Sequence, residues 1–181
     1  MAIVNGFDTK KISAQLSRVS RYEVFYLGGD YYIADGVMLL RCGYDLIEQI
    51  QSTIGVMIPH GNEGWMYSVR SGWEKAPYER LHKYLTICCE GHYSHGENKT
   101  MSVVKTECIK YGMQQANTVI HTLENGEKVL LNKRYVDMMA ASKKWGWFSE
   151  GKDRLSAIHF MNKQNIYEMW VLPIRYEDGA I

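Results

Sequence analysis

The sequence predicts a mixed α+β domain made of two halves that share one order of elements, set either side of a less regular middle. Three observations predict it. Residues 2–41 read as strand, helix and then hairpin-linked strands, and residues 118–176 repeat that order. Between the halves, Gly61, Gly64, Gly72, Gly91 and Gly96, with Pro59 and Pro77, interrupt any sustained period. The length of 181 residues and the 46% apolar content suit a single hydrophobic core.

The elements follow in order. Residues 2–7 are expected to form a short strand, and Asp8 to cap a helix over Thr9–Arg21. Ile12, Leu16 and Val19 fall on one face of that helix. Tyr22–Leu27, Tyr31–Ala34 and Val37–Arg41 read as strands, joined at Gly28-Gly29-Asp30 and at Asp35-Gly36. A short helix over Asp45–Thr53 uses Leu46, Ile47 and Ile50. In the middle, Tyr78, Leu81 and Leu85 predict a helix within Ala76–Ile87, and Met101, Val103 and Val104 a strand within Thr100–Ile109.

The second half opens with strands at Thr118–Leu123 and Lys128–Leu131, around the hairpin turn Glu124-Asn125-Gly126-Glu127. Asn132 then caps a helix expected to run from Lys133 to about Lys144, with Val136, Met139 and Ala140 inward. Strands follow at Trp145–Ser149 and Leu155–Met161, a turn at Asn162–Asn165, and a last strand at Ile166–Tyr176, where Pro173 implies an edge or a bulge. The expected organisation is one domain: a first βαββ unit at 1–54, an irregular insertion at 55–112 and a second βαββ unit at 113–181.

Composition narrows the function classes. The net charge of +1 excludes a polycation that coats DNA by bulk charge, so any nucleic-acid contact must be a local patch. No apolar run approaches the roughly 20 residues that cross a bilayer, and the start has no secretory pattern, so no membrane partner is expected. Four irregularly spaced cysteines suit reduced thiols, and the expected location is the cytoplasm of a bacterial host cell. No G-x-S-x-G, Walker, H-E-x-x-H or G-x-G-x-x-G motif occurs, so the expectation is a non-enzymatic binding protein without a cofactor.

Charge placement supplies the first candidate site. Lys10, Lys11, Arg18 and Arg21 stand against Asp8, and Lys133, Arg134, Lys143 and Lys144 against Asp137. Each helix thus holds a local +3 while the rest of the chain is acidic. Lys10, Lys11, Arg18, Arg21, Lys133, Arg134 and Lys144 are therefore the expected contacts to phosphates, because ammonium and guanidinium groups displace condensed counterions. Thirteen tyrosines and five tryptophans supply a second candidate, the stretch Gly64–Trp73, where Trp65, Tyr67, Arg70 and Trp73 form an expected partner contact. Cys88, Cys89, His92 and His95 hold donor types that suit zinc, but they lack paired C-x2-C spacing, and no metal is assigned to them.

The segment Lys128-Val129-Leu130-Leu131-Asn132-Lys133-Arg134-Tyr135-Val136-Asp137-Met138-Met139 resembles the strand-into-helix entry of bacterial sliding-clamp domains. Tyr167–Arg175 is similar to the closing strand of such a domain, with its apolar-Pro-apolar-Arg ending. The N-terminal half resembles it through its helix, hairpin and the Asp35-Gly36 turn before Val37-Met38-Leu39-Leu40. The resemblance implies a clamp-like, pseudo-duplicated core with both helices on one side of the sheet and double-stranded DNA as partner. One chain of this length would supply one clamp domain, so a ring would require a homo-oligomer.

The leading expectation is a binding protein of the phage or mobile-element type, acting on DNA or on a DNA-bound protein or nuclease. The alternatives are an anti-CRISPR-type inhibitor that meets a Cas nuclease through Gly64–Trp73, and a small zinc-binding protein.

Overall fold

The computed structural model describes residues 3–89, 102–103, 106–110, 117–123, 126–140, 145–162 and 167–175. The fold class is α+β, as expected. The chain enters through a hairpin rather than the single strand expected over 2–7: β1 (Ile3–Val4) pairs with β2 (Phe7–Asp8). Asn5 and Gly6 turn between them at φ values of 45° and 91°, the left-handed pair that a two-residue hairpin demands.

Helix α1 (Thr9–Arg18) starts where its cap predicts. The Asp8 carboxylate accepts the backbone N–H groups of Lys10 at 3.1 Å and Lys11 at 3.4 Å, two donors that the first helical turn otherwise leaves unmet. The helix stops three residues before the expected end, because Val19 is already extended as the chain turns into the sheet. Strands β3 (Arg21–Leu27), β4 (Asp30–Ala34) and β5 (Met38–Cys42) follow as a meander. Asp35 closes the second turn by accepting Val37 N–H at 3.0 Å and Met38 N–H at 2.9 Å. Helix α2 (Tyr44–Ile54) then packs on α1 and ends at Gly55, whose N–H reaches the Gln51 carbonyl.

The middle is more regular than expected. Strands β6 (Gly64–Ser68) and β7 (Gly72–Ala76) form a hairpin, and β6 pairs with β3 from Arg21↔Ser68 to Val24↔Trp65. Its alternating aromatics match the face that β3 presents, so the hairpin extends the sheet instead of looping off it. Helix α3 (Glu79–Cys89) lies on the opposite face of the sheet, held by an ion pair from Arg80 to the buried Glu23. Strands β8 (Ser102–Val103) and β9 (Thr106–Lys110) complete the described part of this stretch.

In the second half, β10 (Asn117–Thr122) and β11 (Lys128–Asn132) pair as predicted, and the Asn132 side chain caps the next helix through Arg134 N–H at 3.1 Å. That helix, α4, spans only Lys133–Val136, which corrects the expected run to Lys144. The physical reason is a competing backbone partner. Asp8 N–H donates to the Met138 carbonyl and Ala140 N–H to the Gly6 carbonyl, both at 2.7 Å, and Phe7 bridges Met139. Met138, Met139 and Ala140 are consecutively buried, a pattern that no surface helix allows.

Strands β12 (Phe148–Glu150), β13 (Ile158–Met161) and β14 (Glu168–Val171) follow and are shorter than expected. Beyond β14, Leu172 N–H still reaches the Val37 carbonyl, whereas Ile174 N–H reaches the Leu130 carbonyl. Pro173, which has no N–H to donate, marks the point where the chain leaves one sheet for the other. The turns expected at Glu124-Asn125 and at 163–165 lie outside the described residues.

Nine strands make one antiparallel sheet in the order β7-β6-β3-β4-β5-β14-β13-β12-β8, and β11-β10-β9 make a second. The two halves join at β5 and β14, from Met38↔Val171 to Arg41↔Glu168. Alternation then sorts side chains onto two faces. One face carries Val24, Ile33, Leu40, Phe160 and Met169. It packs against Ile12 and Leu16 of α1, Ile47 and Ile50 of α2, and Val119 and Leu131 of the second sheet. The other face buries Phe25, Leu39 and Trp170 with Leu81 of α3. Each such side chain contributes roughly 1.5–3 kcal/mol when fully buried.

A charge ladder crosses that second face. Arg41 bridges Asp30 at 2.8 Å and Glu168 at 3.0 Å. His159 lies between Glu168 at 3.2 Å and Glu150 at 3.1 Å, with its ring stacked on Trp170 at 4.4 Å. Burial pulls the imidazole pKa down, but the two carboxylates outweigh it and hold His159 above its ordinary value. Burial pushes Glu168 up, and its bond to His159 and the nearby Arg41 outweigh that, so its carboxyl sits below the ordinary range.

Candidate nucleic-acid interface

The exposed side of α1 carries Lys10, Lys11 and Arg18 because Ile12, Leu16 and Gln15 occupy the buried side. Lys11 and Arg18 are seven residues apart, hence on one stripe and about 10.5 Å apart along the axis. That is about three base-pair steps of 3.4 Å along one DNA strand. Arg21, also exposed, opens β3. The pairing of β6 with β3 brings the β6–β7 turn alongside, where Val69 N–H donates to the Ser20 carbonyl at 3.3 Å.

The result is an open cleft of about 750 Å³ at the C-terminal end of α1. Arg18, Arg21 and Arg70 line it, with Ser17, Ser20 and Ser68 and the Asp35 carboxylate. The lining thus includes three arginines and one acidic residue. The α1 dipole places a partial negative charge here, which Arg18 in the last turn offsets.

Asp35 has a structural task. Beyond the two turn N–H groups on Oδ1, its Oδ2 accepts Gln15 Nε2 at 2.8 Å and the Tyr135 hydroxyl at 2.9 Å. Gln15 Nε2 also donates to the Tyr135 oxygen at 2.9 Å. Burial and the neighbouring Asp35 push the Tyr135 hydroxyl pKa far up. This triangle ties α4 to α1, and it places Arg134, whose Nη1 lies 3.5 Å from Gln15 Oε1, on the flank of α1. Among the described residues no carboxylate pairs with Arg18, Arg21, Arg70 or Arg134.

The other sequence candidates are placed differently. Lys133 is tied to Asp137 one turn along, and Lys144 lies outside the described residues. Trp65, Tyr67 and Trp73 are half-buried; Trp73 packs edge to face on Tyr22, and Tyr67 packs at a tilt on both, at ring distances of 5.2–5.7 Å. Arg70 alone of that group is exposed and belongs with the arginines of the cleft. Cys88 packs in the apolar cluster under α3, Cys89 ends that helix, and His92 and His95 lie outside the described residues. Among the described residues no cluster of metal-type donors forms, and no helix is long and apolar enough to cross a membrane.

One buried pair has the atoms of a nucleophile and a base, Ser149 Oγ and His121 Nε2 at 2.8 Å. Burial drives His121 down to about 4, and both residues sit between the two sheets, His121 0% and Ser149 6% exposed.

The Gln15–Asp35–Tyr135 triangle and the union of Arg70 with Arg18 and Arg21 were not foreseen from sequence. A signal existed for the first: Gln15 interrupts the apolar stripe between Ile12 and Leu16. A scan against protein-family models and a search of curated proteins both return no match to this chain.

Proposed function

We propose that this protein is a non-enzymatic module that grips the phosphate backbone of double-stranded DNA along α1 and the arginine-lined cleft. One observation carries the reading: Arg18, Arg21, Arg70 and Arg134 lie free of ion pairs among the described residues, on a face continuous with Lys10 and Lys11, in a chain whose net charge is only +1. Charge concentrated in this way is what phosphate neutralisation requires. Among the described residues no aromatic ring lines the cleft, so it offers guanidinium and hydroxyl donors rather than a stacking platform for unpaired bases. That favours duplex backbone over single strands.

The topology supports a clamp-like core beneath this face. Each half runs strand, helix, three strands: β2-α1-β3-β4-β5 and β11-α4-β12-β13-β14. The halves meet antiparallel at β5 and β14, and apolar residues of both helices enter the same cluster. The one-turn α4, the helices α2 and α3, the β6–β7 hairpin and strands β8, β9 and β10 depart from two equal units.

The test is fluorescence anisotropy of a labelled duplex titrated with the protein at low and moderate salt, repeated with an Arg18→Ala/Arg21→Ala/Arg134→Ala variant. The reading expects binding that weakens as salt rises and is largely lost in the variant. No binding at low salt would overturn it and point to a protein partner such as a nuclease.

A further inference from the structure

The turn between β6 and β7 holds a feature that backbone gripping does not use. Val69 is 67% exposed at its tip, beside the exposed Arg70 and Ser71. The turn is held at its base: Ser68 Oγ accepts Arg70 N–H at 3.2 Å, Val69 N–H reaches Ser20, and Gly72 takes the left-handed conformation at φ 74°. An exposed aliphatic side chain beside a guanidinium, inside a cationic cleft, gains nothing from phosphates alone.

The geometry limits what this tip can enter. Strand β6 stays paired with β3 as far as Ser68, and the hairpin's last pair is Ser68↔Gly72. Only residues 69–71 therefore stand beyond the sheet. A major groove about 12 Å wide takes a whole two-stranded ribbon, but this ribbon is held along one edge by β3 and offers only its tip. A minor groove about 6 Å wide admits the side chains of such a tip while excluding the ribbon behind it, whose strands are about 4.8 Å apart before side chains are counted. Narrow A·T-rich minor grooves concentrate negative potential that attracts arginine, and aliphatic residues pack against or between their base steps.

Resting on the DNA-binding reading above, we infer that the β6–β7 turn enters the minor groove. Arg70 lies along its floor at A·T-rich steps and Val69 packs against its wall, while Arg18 and Arg21 hold the phosphates on either side. Specificity then comes from groove width and potential rather than from a base code, because the minor groove distinguishes little beyond A·T from G·C.

The experiment compares the full chain on two labelled duplexes of equal length, one A·T-tract and one G·C-rich, at one salt concentration, with the minor-groove ligand netropsin as competitor. The expected result is A·T affinity tighter on the order of tenfold, about the effect of one base-pair discrimination, and displacement by netropsin. Arg70→Ala should abolish the preference, weakening A·T binding about tenfold more than G·C binding. Arg18→Ala should weaken both duplexes alike. Equal affinities with no netropsin effect, in a protein that still binds both duplexes, overturn the groove assignment alone. Failure to bind either duplex overturns the DNA reading and this inference with it. Arg18 and Arg70 are exposed, and matching melting curves confirm that their variants fold.

Discussion

Replacing Asp35 with alanine tests the joint that fixes the candidate interface. The carboxylate accepts four hydrogen bonds, two from turn N–H groups and two from Gln15 and Tyr135, which are 3% and 4% exposed. Water can replace the pair at the turn. The buried pair has no such substitute, although Gln15 and Tyr135 keep the bond between themselves. Hydrogen bonds to a charged acceptor contribute about 1.5–3 kcal/mol each, so the net loss is about 3 kcal/mol. For a domain of this size that lowers Tm by roughly 6–12 °C. Tyr135→Phe removes one partner and should cost about 1 kcal/mol. Because both residues act in one network, the double variant should be more stable than additivity predicts, by about 1 kcal/mol. Urea unfolding of the wild type, both single variants and the double variant measures the cycle. An Asp35→Ala loss under about 0.5 kcal/mol, or additivity within about 0.3 kcal/mol, would refute the triangle.

Three further outcomes follow from the packing and the two buried histidines. Gly64→Ala would set a methyl group 2.5 Å from the Ala76 carbonyl and 2.6 Å from the Phe25 ring, so thermal melting should show a loss of about 1–3 kcal/mol from overpacking. His121 is neutral in the fold with a pKa near 4 against an ordinary 6.5. The unfolded chain therefore binds the extra proton, and stability measured by urea unfolding should fall as pH drops from 6.5 towards 4, by roughly 3 kcal/mol in full. His159 has the opposite sign: its raised pKa means that its contribution is complete below the unfolded value and is lost as pH rises through the folded one. In unfolding measured from neutral to alkaline pH, His159→Phe should flatten that decline, and an unchanged slope would contradict the ladder.

The local chemistry of the chain was readable in advance, and its long-range pairings were not. The Asp8 cap, the Ile12–Leu16 stripe and the Gly28-Gly29 turn each involve neighbours within one helical or hairpin turn, so the sequence states them directly. Helix α4 was overextended because Val136, Met139 and Ala140 fit a helical spacing. The backbone of Gly6 and Asp8, more than a hundred residues earlier, captures Ala140 and Met138 instead. The Asn5-Gly6 hairpin carried a plain signal that a two-residue strand on each side made easy to miss. Arg18 and Arg21 were legible as a basic patch because they are close in sequence. Arg70 joins them only through the β3–β6 register, a pairing of segments more than forty residues apart that no local pattern announces. The same holds for the ladder Arg41–Glu168–His159, which exists only because β5 meets β14.

The most direct test of the central claim is the salt dependence of duplex affinity, plotted as log K against log salt concentration. If Arg18, Arg21 and Arg134 each neutralise one phosphate, the slope should be roughly −2.7. Arg18→Ala/Arg21→Ala should make it shallower by about two. A slope near zero, or one that the double variant leaves unchanged, would contradict the assignment of this face to the DNA backbone.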